Sequence, residues 1–357
     1  MTGPLQDGAT INGRYEVQRY LAEGGMQFVY IAKDQITGRL VALKTPKNNS
    51  AEKRFNRSAI VAARVNHPNI AKTLDYIEEN GRSYLVEELI EGADLRDAVL
   101  TKTNFVDPYL AARIFHHLAK AIAAAHHVKV VHRDLKPTNV MVVGGYNLTE
   151  IKITDFGIAK MAEAEMDEAA EGGAETLSAS ATAVGALPYM APEAIEAAET
   201  VGLPADIWSL GAMMFHILCG DYPFGSGLKA VTKIVAAKRP DVPAFVRNKA
   251  QFRPLADELL EVIFRCLTKD PLLRPDADSL VKMCSDLCYS VSSRYEGRVD
   301  EFRYDAYGFI NGPQGRVFYH KDSVFGPKPS EGDMVLFSCY DGGQAPRALP
   351  VLKMKAQ

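Results

Sequence analysis

The feature that most restricts the fold of this 357-residue chain is a series of short polar signatures kept in order between residues 41 and 274. Val41-Ala42-Leu43-Lys44 comes first, then His132-Arg133-Asp134-Leu135-Lys136-Pro137-Thr138-Asn139. Asp155-Phe156-Gly157 and Ala191-Pro192-Glu193 follow, and after them Asp206-x-Trp208-Ser209-x-Gly211 and Arg274. Any one string of this length arises by chance. The ordered set does not.

The periodicities around these signatures divide the chain. Residues 15–20, 28–33, 40–44, 74–78 and 83–89 read as short strands with turns between them. A helical stretch over about 52–65 interrupts them, and Pro68 ends it. Residues 108–128 are Ala-rich and place Leu110, Ile114, Leu118, Ile122 and Ala125 on one stripe, which predicts a helix facing a core. Beyond residue 200 the pattern is mainly helical, around 205–219, 255–266 and 277–289. From about residue 297 it changes to short aromatic-rich β-runs separated by Gly, Pro and Asp. No internal repeat is evident.

Composition excludes several classes. Apolar residues make up 47% and charged residues 24%, the balance of a packed globular protein rather than a disordered or fibrous one. The net charge of −3 hides an uneven partition, because residues 161–228 carry eleven carboxylates and no Lys or Arg. No basic tail or polycationic stripe exists, which argues against tight binding to duplex DNA or to an anionic membrane. Cys219, Cys266, Cys284, Cys288 and Cys339 are odd in number and lack metal-ligand spacing, as expected of free thiols in a reducing compartment. Met1-Thr2-Gly3-Pro4 does not open a signal peptide. Residues 207–219, broken by Ser209 and His216, are too short to span a bilayer. The expectation is a cytoplasmic protein with no membrane partner.

The ordered signatures closely resemble those of the Hanks-type protein kinase family, and the HRDLKPxN form looks like its serine/threonine branch. The resemblance covers roughly residues 15–290. It implies an α+β bilobal protein kinase fold with a β-rich N-lobe (15–90), a mainly helical C-lobe (91–290) and an activation segment at 155–193, preceded by a segment at 1–14. It implies transfer of the γ-phosphoryl group of ATP to Ser or Thr hydroxyls of proteins, with Mg²⁺ as cofactor. Such transfer asks little covalent chemistry of the protein, so positioning and charge stabilisation dominate. By this resemblance Asp134 would accept the proton of the substrate hydroxyl and orient it, and Lys136 would contact the transferred group. Asn139 and Asp155 would hold Mg²⁺, and Lys44 would hold the α- and β-phosphates. Val29, Ala42 and Met141 would sandwich the adenine, while Glu88 and Ile90 offer backbone groups to it. Glu193 and Arg274 look like the family's structural ion pair, and Asp206 like the anchor of the catalytic loop.

Three departures stand out. The phosphate loop is Leu21-Ala22-Glu23-Gly24-Gly25-Met26-Gln27-Phe28-Val29, whereas the family would have Gly at 22, 24 and 27. Glycines let the backbone approach phosphates closely, so Gln27 is expected to widen the loop and weaken ATP binding, with Gly25 a partial compensation. The family's helix glutamate is replaced by Ser58, which leaves Lys44 without its usual partner. Glu87, just before the hinge, is the candidate replacement; the competing reading turns it to solvent or to an arginine. Finally, Ala186 stands where the family commonly has a Thr that bonds the catalytic Asp and Lys, so Asp134 is expected to be less tightly oriented. Together these changes keep a non-enzymatic alternative open, a weakly active or inactive pseudokinase scaffold that binds nucleotide.

The low-complexity stretch 161–183 falls in the activation segment and reads as a mobile loop. Thr176, Ser178, Ser180 and Thr182 are candidate autophosphorylation sites, with Arg133 as the cation that would receive the phosphate. Glu163, Glu165, Asp167, Glu168, Glu171 and Glu175 precede them. These carboxylates would attract basic protein substrates, or would partly satisfy Arg133, or are simply solvated.

After a linker at 291–296, residues 297–357 resemble a cold-shock domain, a small all-β OB-type barrel that stacks single-stranded bases on aromatic rings. Phe302, Tyr307, Phe309, Phe318 and His320 are the stacking candidates. Glu301, preceded by Asp300, stands where the family places a stacking Trp, and Lys321 replaces a further aromatic. Two readings remain level here: weak binding of RNA or single-stranded DNA, and a barrel reused to dock on the kinase or on a protein substrate.

Overall fold

The computed structural model describes residues 4–23, 27–47, 55, 59–156, 185–196 and 201–356. Gly24, Gly25, Met26, Ser58, Gly157 and the candidate phosphosites Thr176, Ser178, Ser180 and Thr182 lie outside the described residues.

Strand alternation builds an N-terminal sheet. Its strands are β1 (Thr10–Ile11), β2 (Tyr15–Glu23), β3 (Gln27–Asp34), β4 (Leu40–Pro46), β5 (Thr73–Glu79) and β6 (Arg82–Glu88). They run in the order β1-β2-β3-β4-β6-β5, every pair antiparallel. Tyr15, Val17, Tyr30, Ala32, Val41, Leu43, Tyr84 and Val86 pack on one face into a single core. Asn80 and Gly81 join β5 to β6 with φ of 52° and 71°, the two-residue turn that an Asn-Gly pair favours because both positions need left-handed backbone.

A small antiparallel sheet of β7 (Ala93–Asp94), β8 (Val140–Val143) and β9 (Glu150–Ile153) leads into the helical lobe. That lobe contains α1 (Pro108–His127), α2 (Pro192–Glu196), α3 (Leu203–Cys219), α4 (Ala230–Ala236), α5 (Arg253–Cys266) and α6 (Ala277–Ser285). Asp107 caps α1 by accepting from the Tyr109 and Leu110 amides, and Pro108 supplies the first helical position, where no N–H is needed. The apolar stripe of α1 is buried at all five expected positions. Helix α3 is buried on nearly every side and forms the centre of the lobe. The β-rich and helical lobes therefore stand as expected. No described helix is long and apolar enough to cross a membrane.

Residues 294–353 close a five-stranded barrel, compatible with an OB-like fold. Its strands are β10 (Arg294–Arg303), β11 (Tyr307–Gly312), β12 (Gly315–His320), β13 (Met334–Asp341) and β14 (Pro346–Lys353), in the order β10-β11-β12-β14-β13. Only β12 and β14 pair in parallel. Val299, Ile310, Val317, Tyr319, Val335, Phe337 and Val351 fill the interior.

The barrel does not hang from the C-lobe on a free linker. Phe325, Leu336, Leu352 and Met354 belong to the same apolar core as α1, α3 and α5. The Phe325 ring lies 5.8, 5.5 and 5.3 Å from Phe105, Phe245 and Phe252. Arg294, at the start of β10, meets the capping carboxylate of Asp107 at 2.9 and 3.0 Å, both side chains almost fully buried. Asn147 bonds both the amide and the carbonyl of Arg294. Past β14, Lys355 donates from its amide to Lys102 O and from Nζ to Leu100 O.

Candidate active site

A cavity of about 960 Å³ opens between the N-terminal sheet and the helical lobe. It brings together Ala22, Glu23, Gln27, Val29 and Lys44 from the sheet with Lys136, Asn139 and Asp155 from below. Residues distant in sequence converge because β3, β4 and the loops after α1 and β9 all end at this cleft.

The loop following α1 is held from inside the lobe. Asp206, fully buried in α3, accepts from the amides of His132 and Arg133 at 2.8 Å each and from the His126 ring at 3.0 Å. The His132 ring carries its proton on Nε2, since Nε2 donates to Thr154 O and Nδ1 accepts from the Asp134 amide. Phe156 packs edge-on against the same ring at 4.6 Å. This frame points the Asp134 carboxylate outward, where Lys136 Nζ sits at 2.8 Å and Asn139 Nδ2 at 2.9 Å from its Oδ2. Ala186 offers Asp134 no hydroxyl, and among the described residues Lys136 and Asn139 brace the carboxylate.

Lys44, in the middle of β4, is buried between two carboxylates. Glu87 Oε2 lies 2.5 Å and Asp155 Oδ1 2.8 Å from its Nζ. Strand register explains the first contact: β4 and β6 pair with Ala42 opposite Glu87, two positions from Lys44 opposite Leu85, so Lys44 and Glu87 are diagonal neighbours on one face. Glu87 thus faces Lys44, not solvent or an arginine. Burial alone would lower the Lys44 ammonium, but Asp155 and Glu87 outweigh it and hold it above its ordinary value. Burial pushes the Glu87 carboxyl above its usual range against the pull of Lys44. Burial would also raise Asp155, yet Lys44 and the Gln27 amide keep it below the usual range.

Gln27 is 7% exposed and turns inward, Nε2 donating to Asp155 Oδ1 at 2.9 Å. Period-two alternation puts Gln27 on the same face of β3 as Val29, a signal available in the sequence. Of the other phosphate-loop residues, Leu21 is exposed, and Lys47 lies over the Phe28 ring at 5.7 Å.

The candidate adenine contacts are distributed over three strands and the hinge. Val29 lies on β3, Ala42 is buried on β4 and Met141 is half-buried on β8. The Glu88 amide already donates to Lys72 O, and its carboxylate pairs with Lys152 in a second cavity of about 750 Å³. The Ile90 carbonyl accepts from the Gly92 amide. In the lobe below, Arg274 forms a bidentate pair with Glu193 at 2.6 and 2.8 Å and donates to three backbone carbonyls, consistent with a structural tie.

The oxygen chemistry at the bottom of the cleft fits a hard divalent ion. Asn139 spends its NH₂ on Asp134 and leaves Oδ1 as an acceptor. Asp155 keeps Oδ2, bonded only weakly by Thr154 at 3.4 Å. Gln27 Oε1 is buried with no partner among the described residues. Carboxylate and amide oxygens of this kind suit Mg²⁺.

On the barrel, Tyr307, Phe309 and Phe318 form one ring cluster, with Tyr307 stacked on Phe318 at 5.6 Å and Phe309 edge-on to Phe318 at 5.8 Å. Phe302 stands apart, tilted on the buried Tyr319 under Lys328. His320 caps the short helical turn after β12, its Nδ1 accepting from the Asp322 amide at 3.3 Å. Sequence reasoning missed Arg316, which lies 4.0 Å over Phe309 and is tied to Asp300 and Glu301. It also missed the exposed Tyr304 beside Tyr307.

Comparison with known proteins agrees with this site. The family model described as protein kinase domain matches residues 15–284. The chain is 31% identical over 304 residues to serine/threonine-protein kinase PrkC of Bacillus subtilis, spanning 82% of this chain and 44% of that protein. It is 34% identical over 242 residues to probable serine/threonine-protein kinase pknA2 of Bifidobacterium longum, 66% of this chain and 30% of that one. With serine/threonine-protein kinase PknA of Mycobacterium tuberculosis it shares 33% over 284 residues, 75% of this chain and 59% of that protein. The chain thus spans well under two thirds of the length of these relatives. With the family match covering most of its length and the signature side chains converging on one cleft, the chain belongs to the protein kinase family.

Proposed function

We propose that this protein transfers the γ-phosphoryl group of ATP to Ser or Thr hydroxyls of protein substrates. The observation that carries the proposal is the Asp134 carboxylate braced by Lys136 and Asn139, two residues that line one cavity with the Lys44–Asp155 pair. Asp134 takes the proton of the attacking hydroxyl as that oxygen bonds to phosphorus. Lys136 moves from Asp134 to the transferred group, and Lys44, anchored by Glu87, holds the phosphates of the nucleotide. Asn139 and Asp155 hold Mg²⁺, which neutralises phosphate charge when bound. Val29, Ala42 and Met141 enclose the adenine, and the hinge at Glu88 and Ile90 meets its edge. The kinase unit is taken as 15–290 and the barrel as 294–357, joined at 291–293, since the 297 start expected from the sequence falls inside β10.

Incubation of the full chain with γ-labelled ATP, Mg²⁺ and a basic protein such as histone tests this reading. Asp134→Asn is expected to lower incorporation about 10²–10⁴-fold, the usual share of a general base. Equal incorporation in both proteins would remove Asp134 from this role, and none in either would favour the pseudokinase scaffold. Mass spectrometry of the same wild-type sample reads phosphorylation at 176–182.

A second reading concerns the barrel. The Tyr307–Phe309–Phe318 cluster supports weak stacking of single-stranded nucleic acid. Binding is weak because the acidic partners Asp300 and Glu301 neutralise Arg316. A labelled oligo(U) is expected to bind at low salt and to be lost in Phe318→Ala. No binding at low salt would leave the barrel as a protein-docking surface.

A further inference from the structure

The family's loop glycine is replaced by a glutamine that reaches the metal side of the cleft. We infer that Gln27 is a metal-site residue of the phosphate loop: its amide donates to Asp155 in the unliganded protein, and turns its oxygen to the divalent ion that accompanies the nucleotide. The inference rests on the kinase reading above and adds a ligand to it.

Four observations carry it. A long polar side chain at the start of a hairpin strand ordinarily stays in solvent, where its rotamers are free, yet Gln27 is 7% exposed. Its Nε2 shares Asp155 Oδ1 with Lys44 Nζ, so two donors crowd one carboxylate oxygen, as a cation would. Its Oε1 is buried without a partner among the described residues, an unfavourable arrangement unless something else uses that oxygen. Lastly, Lys44 faces both Glu87 and Asp155, so the cluster beside Gln27 holds one more anion than cation.

The side-chain amide solves both problems with one torsion. Its terminal rotation is soft and nearly two-fold, so N and O exchange places with little movement of the chain. Without an ion, the oxygen-inward orientation would set Oε1 against the Asp155 carboxylate. With an ion between them, the same orientation gives two hard oxygen donors, which Mg²⁺ accepts readily. Glycine at this position has no side-chain donor or acceptor, so this chain has traded backbone approach for a side-chain ligand.

The test reads nucleotide binding, not turnover. A fluorescent ADP analogue is titrated into the full chain in EDTA, and then Mg²⁺ is titrated back at fixed nucleotide. Gln27→Leu is expected to leave the affinity in EDTA unchanged and to raise the half-saturating Mg²⁺ about tenfold, the low end of what losing a supporting group costs a metal site. Gln27→Glu, which keeps an oxygen donor, is expected to need no more Mg²⁺ than the wild type. Gln27→Asn, one methylene short, shifts in the leucine direction and stands in if the leucine variant does not fold. An unchanged Mg²⁺ requirement in Gln27→Leu overturns the inference. So does an equal tightening with and without Mg²⁺, which would make Gln27 merely a latch on Asp155. A wild type that binds no nucleotide under any condition overturns the kinase reading, and this inference with it.

Discussion

Two buried ion clusters in this molecule look alike by distance and differ in what they are for. At the seam between barrel and C-lobe, Arg294 meets Asp107 at 2.9 Å, one cation to one anion, and Asp107 also caps helix α1. In the cleft, Lys44 meets Glu87 and Asp155, one cation to two anions, with an unpartnered amide oxygen from Gln27 alongside. The seam cluster balances its charge, one cation against one anion. The cleft cluster leaves a surplus of negative charge and an idle acceptor, which is the condition of a site prepared for a cation and phosphates. Burial of a charge pair is therefore weak evidence of function by itself; the unspent charge carries the distinction.

Substitutions should separate the two clusters. Arg294→Ala leaves Asp107 buried and unpaired, and is expected to cost about 3–5 kcal/mol of stability. Thermal unfolding of the full chain reads that loss, while Mg·ADP affinity below the transition should match wild type. A weakened nucleotide affinity without a change in melting would invert the comparison. A smaller effect is expected from pH. Glu87 is held above the ordinary carboxylate range by burial, so on acidification it takes up its proton at a higher pH than an exposed glutamate would. Lys44 then loses one anchor, and nucleotide affinity should fall along an acid limb. Comparing pH profiles of wild type and Glu87→Gln for one nucleotide cancels the titration of the phosphates themselves. The limb should be flattened in the variant, and identical profiles would detach Glu87 from nucleotide binding.

The sequence discloses these regions unevenly, for physical reasons. The loop from His132 to Asn139 and the Asp155 signature are local: each places its functional groups within a few residues, so order and spacing suffice. The strands of the N-lobe follow from alternation, and the burial of the α1 stripe from its 3.6-residue period. The Lys44–Glu87 pair was open to inference because Ser58 withholds the usual carboxylate and Glu87 supplies one at the back of the pocket. Gln27 is a harder case, since glycine replacement in a loop reads as lost backbone freedom. Its inward direction depends on β3 beginning at residue 27. The seam is hardest of all. Arg294 sits in a stretch with the texture of a linker, and its partner Asp107 precedes it by most of the chain. Phe325 likewise lies between strands, and only the packing of Phe105, Phe245 and Phe252 makes it core.

The central claim is that Lys44 is anchored from within the sheet by Glu87, a strand residue. The most direct measurement is the Mg·ATP affinity of Glu87→Gln beside wild type, with circular dichroism melts showing both folded. Removing the anchoring charge is expected to weaken affinity about tenfold, equivalent to roughly 1.4 kcal/mol. Affinity and turnover equal to wild type would show that Lys44 is held by other means and would contradict the account.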